Sequence, residues 1–214
     1  MLIKYTGKNK FIFIANTKCA STSIESSEIA DIADIKLIDH NIGKHLSIGK
    51  VCEKFDFIFE EYKAQDFFKF GVIRNPLDWV VSWFNFRSRT QLRDPSHPNH
   101  ENYTGEMTFS EFWHLNKNKP FLRPQYQSFF AKDKNIYLDY IILQEKLLEH
   151  ISVVKTVLAL DSLTIQNKNK SSAKRIKSED VKNDIKNEIE HKYCLDYELI
   201  NNLEKFNSQE YNLL

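Results

Sequence analysis

The chain has 214 residues, 30 basic and 29 acidic side chains, 42% hydrophobic residues and 13% aromatics, which is enough apolar content for one folded domain and excludes a disordered segment. A net charge of +1 excludes the broad basic surface that nucleic acids or anionic membranes would need, and five glycines are too few for the usual glycine-rich nucleotide loops. Cys19, Cys52 and Cys194 are odd in number and form no Cys-x-x-Cys pair, and no apolar run approaches the roughly 20 residues that span a bilayer. We therefore expect a complete cytoplasmic protein with a single domain over residues 1–214.

In chain order, Phe11 to Ala15 is a short apolar run rich in β-formers, the pattern of a buried strand. Small and hydroxylated residues follow from Asn16 to Ser23, and Ile24 to Ala33 reads as a helix. Residues 50–64 look helical, and Phe67 to Ile73 is a second buried strand. Pro76 is placed as the first residue of a helix through Arg87. Residues 88–107 form a polar loop, and Thr108 with Glu111 predicts a capping box opening a helix through Leu115. A third strand is expected over Ile136 to Leu143, and a long amphipathic helix over Glu145 to Leu160. Gln166 to Lys177 has five basic residues and no acid, which suggests a mobile loop. Helices are expected over Glu179 to Lys192, with Val181, Ile185 and Ile189 on one face, and over Leu195 to Phe206. This order predicts an α/β fold with a mostly parallel sheet, in which ligands bind beyond the carboxyl ends of the strands.

Two strand-end segments therefore matter most. In the first, Lys18 precedes Cys19, Ala20, Ser21, Thr22 and Ser23 at a helix entrance, where a charge, hydroxyls and free N–H groups suit a phosphate-like anion. A Ser/Thr-rich cap beside a solvated lysine has the same sequence. In the second, Arg74 leaves a strand where a helix begins, and Ser82 lies two turns on; an arginine fork and a hydroxyl suit a phosphate dianion. The bland counterpart is an Arg74–Asp78 pair across one turn.

Together, in this order, the segments resemble the cofactor motifs of the sulfotransferases that use 3′-phosphoadenosine 5′-phosphosulfate (PAPS), in the branch of carbohydrate sulfotransferases and their bacterial relatives. In that family a loop of Pro-Lys, Thr or Cys, Ala or Gly, Ser or Thr, then Thr-Ser holds the 5′-phosphosulfate. A second motif of Arg, Asn or Asp, Pro, five residues and Ser holds the 3′-phosphate. Lys18 to Ser23 match the first and Arg74, Asn75, Pro76 and Ser82 the second; Thr17 departs from the usual Pro without removing a ligand. Fainter similarities are Arg123-Pro124-Gln125 on the acceptor side, Asp139 to Leu143 followed by Glu145 and Leu147, a basic loop containing Lys170 and Ser171, and a terminal helix with Tyr193, Asp196 and Tyr197.

The resemblance implies a P-loop-like, three-layer domain with a central sheet flanked by helices. It implies sulfuryl transfer from PAPS to a hydroxyl or amine, most simply of a carbohydrate, with adenosine 3′,5′-bisphosphate (PAP) as product and no metal. Lys18 would stabilise the leaving group; Cys19, Ala20, Ser21, Thr22 and Ser23 would hold the 5′-phosphate, Arg74 and Ser82 the 3′-phosphate, and Lys170 and Ser171 would close over the cofactor. His45, in Gly43-Lys44-His45-Leu46-Ser47, is similar to a Lys-His-x-Ser/Thr element of bacterial relatives and is the candidate general base, with His40, Glu60 or Glu61 as alternatives and a surface or capping histidine as the bland reading. Arg123 and Gln125 would face the acceptor, or Arg123 would pair inside the fold. His97-x-x-His100 in a polar loop without a third ligand is a weak metal pattern, and Trp79, Trp83 and Phe84 at helical spacing read as core. The partner is an acceptor glycan or small molecule, not nucleic acid, and no stable membrane insertion is expected. Two other classes fit parts of the pattern: a P-loop-type kinase, and a non-catalytic nucleotide- or glycan-binding relative.

Overall fold

The structure is a computed structural model and describes residues 1–39, 43–166 and 175–209. The first elements are β1 (Leu2–Lys4), β2 (Phe11–Ile14), α1 (Ser21–Ile24), α2 (Glu28–Asp31), β3 (Ile35–Lys36), α3 (Ile48–Lys54), α4 (Asp56–Glu61) and β4 (Phe68–Ile73). Then come α5 (Pro76–Arg87), α6 (Phe109–Asn116), β5 (Phe130–Ala131), β6 (Ile136–Tyr137) and β7 (Tyr140–Leu143). The chain continues through α7 (Leu147–Val157), α8 (Asn183–Lys192), α9 (Cys194–Asn201) and α10 (Leu203–Asn207). It divides into two compact units: Met1–Arg74 with Gln125–Asn169 and Glu198–Leu214, and Asn75–Pro124 with Lys170–Tyr197.

The first unit is built on a five-stranded sheet of order β3-β1-β2-β4-β7. The expected parallel core is present, since β4 runs parallel to both β2 and β7. The sheet is nevertheless mixed rather than mostly parallel, because β1 pairs antiparallel with β2 and with β3. The link Tyr5 to Lys10 is too short for the crossover a parallel pair needs, and Gly7 (φ 64°) and Asn9 (φ 54°) turn it back in left-handed conformations. Every residue of β2 is buried. In the β2–β4 register Phe11 faces Phe68 and Phe13 faces Phe70, and the Phe13–Phe70 and Phe68–Phe70 ring centroids lie 5.2 and 5.4 Å apart.

The strand expected over 136–143 is broken at Leu138 and Asp139. Asp139 Oδ2 accepts from both the backbone N and the Nζ of Lys69, each at 2.7 Å, and its own N–H donates to Lys69 O. These bonds set the start of β7 against β4, and Ile136–Tyr137 pairs instead with β5 in a small second sheet. On the open edge of β7, Asn207 donates to Ile141 O at 3.0 Å and accepts from Ile141 N at 2.8 Å. The helix expected over Ile24 to Ala33 is two short pieces. Ser26 and Ser27 donate to carbonyls one turn back, and Ser27 is extended (φ −106°, ψ 176°). The last long helix of this unit, α7, ends before left-handed Ala159 (φ 51°), short of the expected Leu160.

The second unit packs α5 against α6 and α8. Asn75 accepts from Leu77 N and Asp78 N, so Pro76 opens α5 as expected. The Thr108–Glu111 capping box forms in both directions, at 2.7 and 3.3 Å. Trp79, Trp113 and Tyr193 fill the core, with Ile185 and Ile189 buried on α8. Tyr193 donates to Leu122 O at 2.8 Å, and burial raises its phenol well above the usual range. The segment expected as helix from Glu179 begins with a single 3-10 turn, Ser178–Asp180, before α8, and the helix expected over Leu195 to Phe206 is interrupted at Asn202.

Gly71 sits in β4 where a Cβ would lie 2.9 Å from Leu138 Cδ1 and from Phe129 Cε1, and 3.3 Å from Ile14 O. Gly71→Ala is therefore expected to destabilise the fold by about 1–3 kcal/mol, read as a lower midpoint in denaturant; an unchanged midpoint would show that the layer over β4 yields freely.

Candidate active site

The segment after β2 is contorted. Ala15 and Asn16 stay buried, then Lys18 (φ 58°) and Ala20 (φ 52°) both take the left-handed conformation that residues with a Cβ rarely adopt. Ser23 N and Ile24 N both donate to Ala20 O, closing the turn. Ser21 and Ser23 are buried, and Lys18 and Thr22 are half-buried. Because α1 spans only Ser21–Ile24, it adds little dipole. The capacity of this loop to hold an anion rests on the Lys18 ammonium, the hydroxyls and the N–H groups of the turn.

Gln125 ties this loop to the second strand end. Its Oε1 accepts from Arg74 N at 3.1 Å and from the Cys19 thiol at 3.3 Å, while its Nε2 donates to Arg74 O at 2.8 Å. The amide thus pairs with both backbone groups of Arg74, as a neighbouring strand would, and holds Cys19 as well. At 1% exposure, Gln125 lies between the two loops and not on a surface open to an acceptor.

His45 is anchored to the same strand end. Its Nδ1 lies 2.5 Å from Ala15 O, and a carbonyl can only accept, so Nδ1 carries a proton in this contact. The preceding residue, Lys44, pairs with Glu25 at 2.5 Å, with side-chain exposures of 8% and 2%. Glu25, which also takes the Met1 ammonium at 2.7 Å, directly follows α1. One buried ion pair therefore fixes the His45 segment to the end of the Lys18 loop.

The three parallel strands share a further property at this end. Asn16 Nδ2 after β2, Arg74 Nε after β4 and Gln144 Oε1 after β7 are buried and have no hydrogen-bond partner among the described residues. A buried polar atom left without a partner normally marks a place for a ligand or an ordered water. Here two donors and one acceptor stand at the carboxyl ends of adjacent parallel strands, where ligands of α/β sheets bind.

The other predicted residues belong to other stretches of the chain. Ser82 is half-buried on α5 in the second unit, and Arg123, in the same unit, is exposed. Lys170, Ser171 and His40 lie outside the described residues, as does most of the 166–177 segment. Glu60 and Glu61 are exposed on α4. His97 Nδ1 accepts from Asn99 N and His100 Nδ1 bonds Leu92 O, and among the described residues no three His, Cys, Asp or Glu side chains converge. Sequence reasoning passed over Asn16, Gln144, Glu25 and Lys44. For Asn16 a signal existed, an amide placed directly after a wholly apolar strand.

Gln125→Leu removes three hydrogen bonds and strands Arg74 N and O. We expect a stability loss of about 1–3 kcal/mol per orphaned group, measured by denaturant unfolding, and an unchanged midpoint would show that these bonds hold nothing.

No helix among the described residues is long and apolar enough to cross a membrane. No curated protein and no solved structure matches the chain. The family model described as the Sulfotransferase family matches residues 2–214. The Lys18 loop and Arg74 leave neighbouring parallel strands at the same end, in agreement with that match over the whole length, and the chain belongs to the sulfotransferase family, as a transferase.

Proposed function

We propose that the protein transfers a sulfuryl group from PAPS to a hydroxyl or amine of an acceptor, in first place a carbohydrate and otherwise a small molecule, and releases PAP. We also propose that the sheet and its Lys18 loop form a P-loop-like fold. The observation that carries the reading is the pair of buried donors, Asn16 Nδ2 and Arg74 Nε, without an acceptor among the described residues, at the ends of adjacent strands, the first of which is followed by Lys18. Donors of this kind, with two cationic side chains, fit a polyanion.

When bound, PAPS supplies an activated sulfuryl group and a stable leaving group. The rest falls to the chain. His45 Nε2 takes the proton of the acceptor as its oxygen or nitrogen bonds to sulfur; the Ala15 carbonyl keeps the ring in the tautomer that can do so. Lys18 offers its ammonium to the oxygen that bridges sulfur and phosphorus, stabilising the charge that develops as that S–O bond breaks. The 5′-phosphate is taken by the turn from Cys19 to Ser23, with the hydroxyls of Ser21, Thr22 and Ser23. Arg74 takes the 3′-phosphate, which distinguishes PAPS from ordinary nucleotides. Ser82, Lys170, Ser171 and Arg123 keep their roles on the strength of the sequence motifs alone, the last toward the acceptor. With Lys18 and Arg74 supplying positive charge, the scheme uses no metal.

Thermal shifts with PAP, ATP and ADP, with and without Mg²⁺, test this first. A ligand at 100 times its Kd stabilises a fold by about 2.7 kcal/mol. PAP is expected to stabilise the protein without metal, whereas a preference for ATP with Mg²⁺ would favour a kinase and sink the proposal. Transfer of labelled sulfate from PAPS to a panel of glycans and small hydroxyl compounds then separates an enzyme from a binder. In that assay His45→Ala is expected to lower turnover by about 100-fold or more with PAP binding retained; near-normal turnover would remove His45 from the role.

A further inference from the structure

We infer that Asn16 is a further site residue, whose Nδ2 donates a hydrogen bond to an oxygen of the sulfuryl group under transfer; this rests on the proposed use of PAPS. Asn16 is 7% exposed, its Oδ1 accepts from Thr17 N at 3.1 Å, and its Nδ2 has no partner among the described residues. A buried amide donor without an acceptor is costly, and an apolar side chain at this position would avoid the cost. The four residues of β2 before it are all apolar and buried, so the amide interrupts a run that packing alone would continue.

Its place along the chain selects the part of the ligand. Asn16 follows Ala15, whose carbonyl anchors His45, and precedes Lys18 by two residues. It therefore lies on the stretch between the anchor of the base and the lysine assigned to the leaving oxygen, the two groups that flank the sulfuryl centre. The 3′-phosphate is served from another strand, by Arg74. The unpaired atom of Gln144, Oε1, does not take the same role, because it is an acceptor and sulfuryl oxygens offer no hydrogen. A neutral donor suits a sulfuryl group in transit, because it stabilises the oxygens without adding a charge that would hold the product.

PAPS and PAP differ only in the sulfuryl group, so calorimetric titration of both into wild type, Asn16→Leu and Asn16→Asp reads the contact without any acceptor. Asn16→Leu is expected to weaken PAPS binding by about 10- to 100-fold, the scale of a hydrogen bond to a charged group. Its affinity for PAP should stay within about twofold, and its unfolding midpoint should fall by no more than the loss of the Thr17 N acceptor explains. The isosteric Asn16→Asp keeps an acceptor for Thr17 N and is expected to discriminate against PAPS more strongly still, through repulsion. Equal losses for PAPS and PAP would overturn the inference by placing Asn16 on the nucleotide, and unchanged affinities for both would overturn it by leaving Nδ2 to water. If the wild type binds neither compound, the proposed function falls first, and that outcome is distinct from a wild type that binds both.

Discussion

The backbone of Arg74 sets the central constraint. A strand that ends inside a protein leaves an N–H and a C=O that must be bonded, and β4 ends where neither β2 nor β7 supplies the partners. The Gln125 amide supplies both and reaches Cys19 with the same oxygen. Two loops far apart in sequence thus share one rigid group. The device recurs: Asn207 bonds both backbone groups of Ile141 on the open edge of β7, and in the second unit Asn85 bonds Ile176 through N and O and also Arg175 N. In each case an amide side chain serves as a strand neighbour of one residue, giving a sheet pairing without the extra chain.

Around that tie the sheet and the ion pair divide the work. The aromatic ladder of Phe11, Phe13, Phe68 and Phe70 sets the register of β2 on β4, and register decides that the Lys18 loop and Arg74 leave at the same end. The Lys44–Glu25 pair then fixes the segment carrying His45. Buried pairs of this sort add little net stability, yet removing one partner is costly, so their effect is to specify one arrangement of the chain.

The parallel core, α5 with its Asn75 and Pro76 entry, and the capping box of α6 were legible because each rests on local rules. So was the position of Lys18 and Arg74 beyond the carboxyl ends of two strands that pair in parallel. Three things were not. β1 and β3 are only three and two residues long, too short for periodicity to register. The break at Asp139 depends on Lys69, seventy residues away. The part Gln125 plays is a long-range fact too: as a polar residue in an Arg-Pro-Gln element it read as acceptor-facing, and only burial shows both ends of its amide engaged within the protein.

Cys19 has a consequence for the chemistry of the loop. The related motif accepts Thr or Cys there, and the bond to Gln125 gives a reason: both side chains place one hydrogen-bond donor on a Cβ, and the amide oxygen needs no more than that. A thiol used in this way is a substitute hydroxyl and not a nucleophile. At 1% exposure it is closed to the alkylating reagents and oxidants that reach the exposed Cys194, so a thiol reagent added to the folded protein marks the ninth helix and leaves the Lys18 loop untouched.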